Sequence, residues 1–364
     1  MINKRILFFM PSIEGGGVEK NLFIVSNHFA KKFKKVDLIT TSTEFKNKFD
    51  KRINIISPKI NFWKRYGRRI KYLICLTLLI KTLLKNKDIK VFSFQANIYC
   101  LIVCKLLNAK IVVRSNSAPI GWSNNLIKIF IFKKMLKLAD ITMVNSQNFK
   151  RELRKKFNVN SKVIYNPLNN KEIIKLSKKK IKFNFFKRNS LNLINVGRFT
   201  DQKDHLTLLK GVNLIKNKID FKLVIIGRGE NKLKMKNFID KHNLKKNVKI
   251  IKFLKNPFPF IKYADAFVLT STFEGLPNVL LEASILKKFV ISSNCQTGPS
   301  EILLNGKGGL LFNVKDYKQL ANKISYYSNN KSKCEDMRKK TFDNLKRFDK
   351  NINLKKYENL FVNL

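Results

Sequence analysis

Ten short apolar runs recur along the 364 residues, and segments of helical periodicity separate most of them. A strand covered on both faces reads as a continuous apolar run, and strands that alternate with helices pair in parallel. In the first half the runs are RILFFM at residues 5–10, then Val36–Thr40, Val91–Phe94, Lys110–Arg114 and Ile141–Asn145, with a helix expected from Val18 to Phe33. A second series follows as LNLINVGR, FKLVIIGRG, VKIIKF, AFVLTS and FVISSN. Between the two lies Tyr165-Asn166-Pro167-Leu168, where Asn-Pro is a turn signal, and the lysine-rich stretch from Lys171 to Arg188 reads as a connector. The fold class expected is α/β, two doubly wound parallel-sheet domains joined near residue 167, each able to bury its own core. Ligands of such sheets bind beyond the carboxyl ends of the strands, so the chemistry is expected in the loops that follow them.

Composition excludes several classes. Lys plus Arg number 75 against 24 Asp plus Glu, a formal charge of +51. The excess is mostly Lys in a chain crowded with Asn, Ile and Phe, residues that AT-rich codons supply, so it reads as solvated faces and no nucleic-acid partner is expected. Five cysteines, odd in number and without a C-x-x-C pair, read as thiols in a reducing, cytoplasmic compartment. The three histidines are far apart in sequence, which disfavours a histidine metal cluster. The start, KRILFFMPS, has too short an apolar core for a signal peptide. Tyr72–Ile80, bounded by Lys71 and Lys81, falls far short of the ~20 residues that span a bilayer. Residues 62–87 nevertheless join a basic aromatic stretch to a helix with a broad apolar face, which suits either a core helix or an element lying on an anionic membrane surface.

The strand-end loops carry the candidate site. GGGVEK, Gly15 to Lys20, lets backbone N–H groups and a helix start approach a phosphate, or is a simple tight turn; it lacks the last glycine of a dinucleotide fingerprint. NVGRFTDQKDHLTLLKG puts Arg198 after a strand and Lys203 five residues later, two cations suited to clamping a diphosphate. Gly227 and Gly229 open the next loop. In FVLTSTFEGLPNVLLEAS, Glu274 sits in a loop and Glu282 one turn into a helix, so both carboxylates can face one cleft. The N–H groups near Asn278, Val279 and Leu280 then form an anion-binding helix start. Plain alternatives stand beside these: a helix-dipole acid at 282, and surface ion pairs for Glu274, Arg198 and Lys203.

The set GGG-V-E, GR-x4-K, GxG and E-x7-E followed by Gly-Pro-Ser-Glu-Ile resembles the GT-B glycosyltransferases of family 4, retaining nucleotide-sugar transferases, over nearly the whole chain. The resemblance implies two Rossmann-like domains, 1–166 for the acceptor and 167–345 for the donor, with a C-terminal helix at 346–364 packing back on the first domain. It implies Glu274 on donor-sugar hydroxyls, Glu282 on the ribose, and Arg198 and Lys203 on the diphosphate. Gly16 and Gly17 would approach the donor phosphates, Leu254 the base, and Gly298 the sugar, with Glu301 as a helix acid or sugar ligand. The QTGPSEI loop resembles that of transferases building lipid-linked or surface polysaccharides from UDP-hexoses or UDP-N-acetylhexosamines. The histidine that many relatives carry after an inner strand of the first domain is absent; the chain reads VVRSNSAPIGW, making Arg114 and Asn116 the candidates there. No Asp-x-Asp occurs, so no metal and no further cofactor is expected. The resemblance thus implies hexosyl transfer from a UDP-sugar to a lipid-linked or glycan acceptor at the inner face of the cytoplasmic membrane. Two other classes remain: a GT-B enzyme of another reaction type (an epimerase or a phosphorylase), and a non-catalytic basic protein binding nucleic acid or anionic lipid. The phosphorylase lacks a recognisable pyridoxal-lysine motif, and the binding protein leaves the acids in the strand-end loops unexplained.

Overall fold

The computed structural model describes residues 1–14, 16–59, 67–86, 88–95, 97–116 and 125–364. Gly15, the basic aromatic residues 62–66 and residues 117–124 lie outside them. The chain folds as two units, Met1–Pro167 with Lys350–Leu364, and Leu168–Asp349.

In the first unit seven parallel strands are β1 (Ile2–Phe9), β2 (Phe33–Ile39), β3 (Ile53–Ile56), β4 (Ile89–Ser93), β5 (Ile111–Arg114), β6 (Ile141–Val144) and β7 (Ser161–Val163), in the order β3-β2-β1-β4-β5-β6-β7. Side chains alternate across each strand, so the sheet feeds two cores. Ile6 and Phe8 point to one core with helix α1 (Gly17–Lys32), while Leu7 and Phe9 point to the other. That second core is closed by α2 (Arg68–Lys85), α3 (Asn97–Leu106), α4 (Leu126–Lys137) and α5 (Gln147–Phe157). Chain residues 350–362 return to the first core as a helix, burying Leu354, Tyr357 and Phe361 against Phe29 and Phe92.

The second unit starts with α6 (Asn170–Ser177), capped by the Asn169 side chain and buried through Ile173 and Ser177. The stretch expected as a connector therefore opens with a helix: its lysines fall on the solvent side and its two buried positions carry the packing. Six parallel strands follow, β8 (Leu191–Val196), β9 (Phe221–Gly227), β10 (Val248–Lys252), β11 (Ala266–Leu269), β12 (Phe289–Ser293) and β13 (Leu310–Phe312), in the order β10-β9-β8-β11-β12-β13. Their helices are α7 (His205–Ile215), α8 (Lys232–Lys241), α9 (Phe258–Tyr263), α10 (Asn278–Ile285), α11 (Pro299–Ile302), α12 (Tyr317–Asn329) and α13 (Lys331–Asp343), before α14 (Lys350–Val362) rejoins the first unit.

Loops after β8 and β9 are in backbone contact. Gly197 N donates to Ile226 O and Phe199 N to Arg228 O, at 3.0 and 2.8 Å. A Cβ at Gly227 would lie 1.9 Å from the Gly197 carbonyl oxygen, and one at Gly229, where φ is +151°, 2.4 Å from the Phe199 oxygen. Glycine at these two positions therefore serves loop-to-loop packing; the space a side chain would fill is already occupied. Gly227→Ala forces two backbones apart and is expected to destabilise the chain by about 1–3 kcal/mol, read as a lower urea midpoint. Gly67→Ala, with nothing within 4 Å of its Cβ, is expected to stay within about 0.5 kcal/mol of the parent.

Candidate active site

The loop after β11 is positioned by hydroxyl side chains from its neighbours. Thr270 Oγ1 donates to the Lys203 carbonyl at 2.9 Å and Thr272 N to the Gln202 carbonyl at 2.8 Å, while Gln202 Nε2 donates back to Phe273 O at 2.9 Å. From the far side, Ser293 Oγ donates to Ser271 O at 2.6 Å and Thr297 Oγ1 to Glu274 O. These bonds hold the turn from 270 to 275 between the ends of β8 and β12.

Glu274 and Lys203 meet across that turn. Lys203 Nζ lies 2.5 Å from Glu274 Oε1, which also accepts from Ser271 Oγ at 2.7 Å. The side chains are 14% and 8% exposed, so this is a nearly dry ion pair and not the surface pair offered as an alternative. Removing one partner of such a pair costs about 3–5 kcal/mol, because the other is left charged and buried. Glu274 Oε2 has no hydrogen-bond partner among the described residues, and two of the three Lys203 ammonium protons remain to be donated. Arg198 is exposed and makes no ion pair among the described residues. The two cations thus differ: one is held by an acid, the other is free.

Pro277, just before α10, offers no side-chain acceptor to the helix's first turn, whereas Asp204 caps α7 and Asp316 caps α12. No side-chain cap therefore satisfies the first N–H groups of α10. Asn278 and Val279 are half-buried there. Leu280 departs from expectation: its N–H already donates to Pro277 O at 3.0 Å and its side chain is wholly buried. Glu282, 3% exposed, is enclosed within the packing of α10. Gly298 has φ +86°, and a Cβ there would meet the Gly275 oxygen at 2.1 Å, so it permits the close approach of two loops of this site. Leu254 is half-buried after β10. Glu301 faces Arg347 at 4.0 Å.

In the first unit, a Cβ on Gly16 would lie 2.8 Å from Glu19 Oε2, and Glu14 N donates to Glu19 Oε1 at 3.3 Å. An acid thus occupies the start of α1, which begins at Gly17, where a phosphate was expected. Arg114 also departs from its expected place at a sugar. It is 0% exposed, donates through Nη2 to Asn166 Oδ1 at 2.6 Å, and stacks its guanidinium over Phe94 at 4.9 Å. Asn116 turns its amide back onto Phe94 O at 2.9 Å. The reason is the end of β5, where the core side of the sheet receives residue 114 and leaves no carboxylate for it.

Sequence reasoning passed over His205. Its Nε2 lies 3.0 Å from Asn195 Oδ1, and Asn195 Nδ2 donates to Val268 O at 2.7 Å, which orients the amide and fixes the ring as the Nε2–H tautomer. Its Nδ1 is buried without a partner among the described residues. Burial, aided by the Lys203 charge, pushes its pKa down to about 3. The only signal in the sequence was a histidine two residues after Lys203, at the first position of a helix.

Two parallel-sheet units with strand-end loops of this kind define the GT-B fold. Among solved structures, that of Anabaena HepE in complex with UDP matches with a TM-score of 0.79, at 15% identity, covering 99% of this chain and 100% of that one. The family model described as glycosyl transferases group 1 matches residues 177–343, and the model described as glycosyltransferase family 4 matches residues 15–172. The chain belongs to the family-4 glycosyltransferases of the GT-B fold. An uncharacterized glycosyltransferase of Methanocaldococcus jannaschii is 35% identical over 54% of this chain and 53% of its own length. The N-acetylgalactosamine-N,N'-diacetylbacillosaminyl-diphospho-undecaprenol 4-alpha-N-acetylgalactosaminyltransferase of Campylobacter jejuni is 27% identical over 52% of this chain and 51% of its own. The chain spans about half the length of these curated relatives.

The neutral His205 sets a pH dependence. Its folded pKa lies below the ordinary 6.5, so its stabilising effect is complete above 6.5 and is lost as pH falls toward about 3. Each unit in that window costs at most about 1.4 kcal/mol. His205→Gln is expected to flatten the fall in urea midpoint between pH 6.5 and 3.5; parallel curves for variant and parent would contradict the assignment.

Proposed function

We propose that the chain is a retaining, metal-independent glycosyltransferase that moves a hexosyl or N-acetylhexosaminyl group from a UDP-sugar to a lipid-linked or polysaccharide acceptor in cell-surface glycan synthesis. The carrying observation is the Lys203–Glu274 pair set beside the uncapped start of α10, with Arg198 unpaired on the same strand-end loop. Support for the donor comes from HepE, whose solved complexes include UDP and UDP-glucose. Support for the acceptor comes from the Campylobacter relative, whose name includes a diphospho-undecaprenol.

In this proposal the diphosphate lies at the α10 helix start, and Arg198 supplies a bidentate fork to its oxygens while Lys203 adds its remaining ammonium protons. Glu274 Oε1 keeps Lys203 in place and Oε2 accepts a hydroxyl of the sugar. Glu282 accepts from the ribose hydroxyls. The bond from the anomeric carbon to the β-phosphate oxygen breaks, and the acceptor oxygen bonds to that carbon on the same face. The acceptor proton passes to the departing phosphate oxygen, so no side-chain base is required. The cations neutralise the charge gathering on the leaving group, an electrostatic contribution that dominates in a pre-organised site. In this reading the two cations take the part a divalent metal would otherwise play.

Thermal shift with a panel of UDP- and GDP-sugars is expected to pick out one UDP-sugar, and EDTA should leave both binding and transfer unchanged. NMR of the product should show the anomeric configuration of the donor; an inverted product would overturn the retaining mechanism. Arg198→Ala is expected to weaken UDP binding by about ten- to a hundredfold, the value of charge-assisted hydrogen bonds. Glu282→Gln should weaken free UDP and UDP-sugar alike, whereas Glu274→Gln should weaken chiefly the intact UDP-sugar. Equal losses for both ligands in both variants would refute the division of roles.

A further inference from the structure

Helices α2, α3 and α4 cover the same side of the first sheet, and each packs inward through one apolar face: Cys75, Leu79 and Leu83; Cys100, Leu101 and Cys104; Leu136 with Ile129 and Phe132. Each also carries a second apolar stripe on the face turned to solvent. On α2 it consists of Leu73, Ile80 and Leu84, on α3 of Tyr99, Ile102 and Leu106. On and just beyond α4, Ile127, Phe130, Ile131 and Leu138 fall within about 100° of one another around the axis at 100° per residue, opposite Leu136. These are large exposures: 64% for Leu73, 77% for Leu106, 70% for Ile127 and 58% for Phe130. The helices adjoin, α2 against α3 and α3 against α4, so the stripes share one surface. Isolated exposed apolar residues are ordinary, but three neighbouring helices each apolar on both faces mark a surface that something else covers.

The charges around it identify the cover. None of the three helices contains an Asp or Glu. Arg69, Lys81 and Lys85 of α2 and Lys133, Lys134 and Lys137 of α4 are exposed beside the stripes. Helix α5, in the same layer, is apolar only inward, through Phe149, Leu153 and Phe157, and turns Lys150, Arg151, Arg154 and Lys155 outward. A second copy of the chain is a poor cover, since it would bring lysine against lysine with no acid between them. A nucleic acid would use the cations and leave the leucines, isoleucines and phenylalanine in water.

We propose that the joint outer surface of α2, α3 and α4 is a lipid-binding face that seats the first unit on an anionic bilayer. The stripes enter the boundary between headgroups and acyl chains, and the lysines and arginines lie among the headgroups. No helix among the described residues is long and apolar enough to cross a membrane, and binding through such a face lies on the bilayer surface and is reversible. The attachment requires neither the transfer reaction nor a particular acceptor.

The test is sedimentation of the full chain with vesicles of phosphatidylcholine alone or mixed with phosphatidylglycerol, at low and high salt. The parent is expected to bind the mixed vesicles, weakening by about fivefold for each basic contact that salt screens out. Ile127→Ser, Phe130→Ser and Ile131→Ser together should lower the partition at least about tenfold, while the melting temperature stays within a few degrees of the parent. Leu73→Ser with Leu84→Ser, on a different helix, should act in the same direction. Three outcomes overturn the proposal: no binding by the parent, salt-sensitive binding that both serine sets leave intact, or a parent dimer in light scattering that the serine sets convert to monomer.

Discussion

The buried pair of Lys203 and Glu274 organises the second unit's strand-end loops. A carboxylate and an ammonium removed from water must be matched closely in position, and the match is enforced by residues that do nothing else visible: Ser271 on the same carboxylate oxygen, and Thr270, Ser293 and Thr297 on the surrounding backbone. The glycines obey the same demand. Gly227, Gly229 and Gly298 let backbones approach to distances that any Cβ would forbid, which draws the loops after β8, β9, β11 and β12 into one rigid rim. The positions of Lys203 and Glu274 are therefore set by the protein's own hydrogen bonds.

Much of this was legible in the sequence, for identifiable reasons. All ten apolar runs are strands because burial on both faces leaves a signal that one residue pattern can carry. Of the missing strands, β7 and β13 have three residues each, too few for a run to stand out, and the four of β3 are interrupted by Asn54, while in α6 only Ile173 and Ser177 are buried, among polar neighbours. At the site, residue types and spacing gave the acids and cations. They did not give the contact between positions 203 and 274, since that depends on which strand lies beside which.

Other differences turn on direction. An arginine at a strand end reads as an outward group, yet Arg114 faces inward, where Phe94, Asn166 and Tyr357 receive it. A glycine-rich loop reads as room for a ligand, yet at 227 and 229 the room is filled by backbone. An acid in the first turn of a helix reads as a mild dipole partner, yet Glu19 bends back over the glycine loop itself. Alternation and spacing specify which residues are near a loop, whereas orientation is decided by packing that a single sequence does not display.

The return of α14 to the first core carries a consequence for biosynthesis. Leu354, Tyr357 and Phe361 close the cluster around Phe8, Phe29 and Phe92, so that core is completed only after residues 168–349 have been made. The second unit, whose residues run without interruption from Leu168 to Asp349, has all its parts before then. Domains usually mature in the order of synthesis; here the unit begun first is closed by a helix made after the second unit's residues, so its aromatic cluster waits on them.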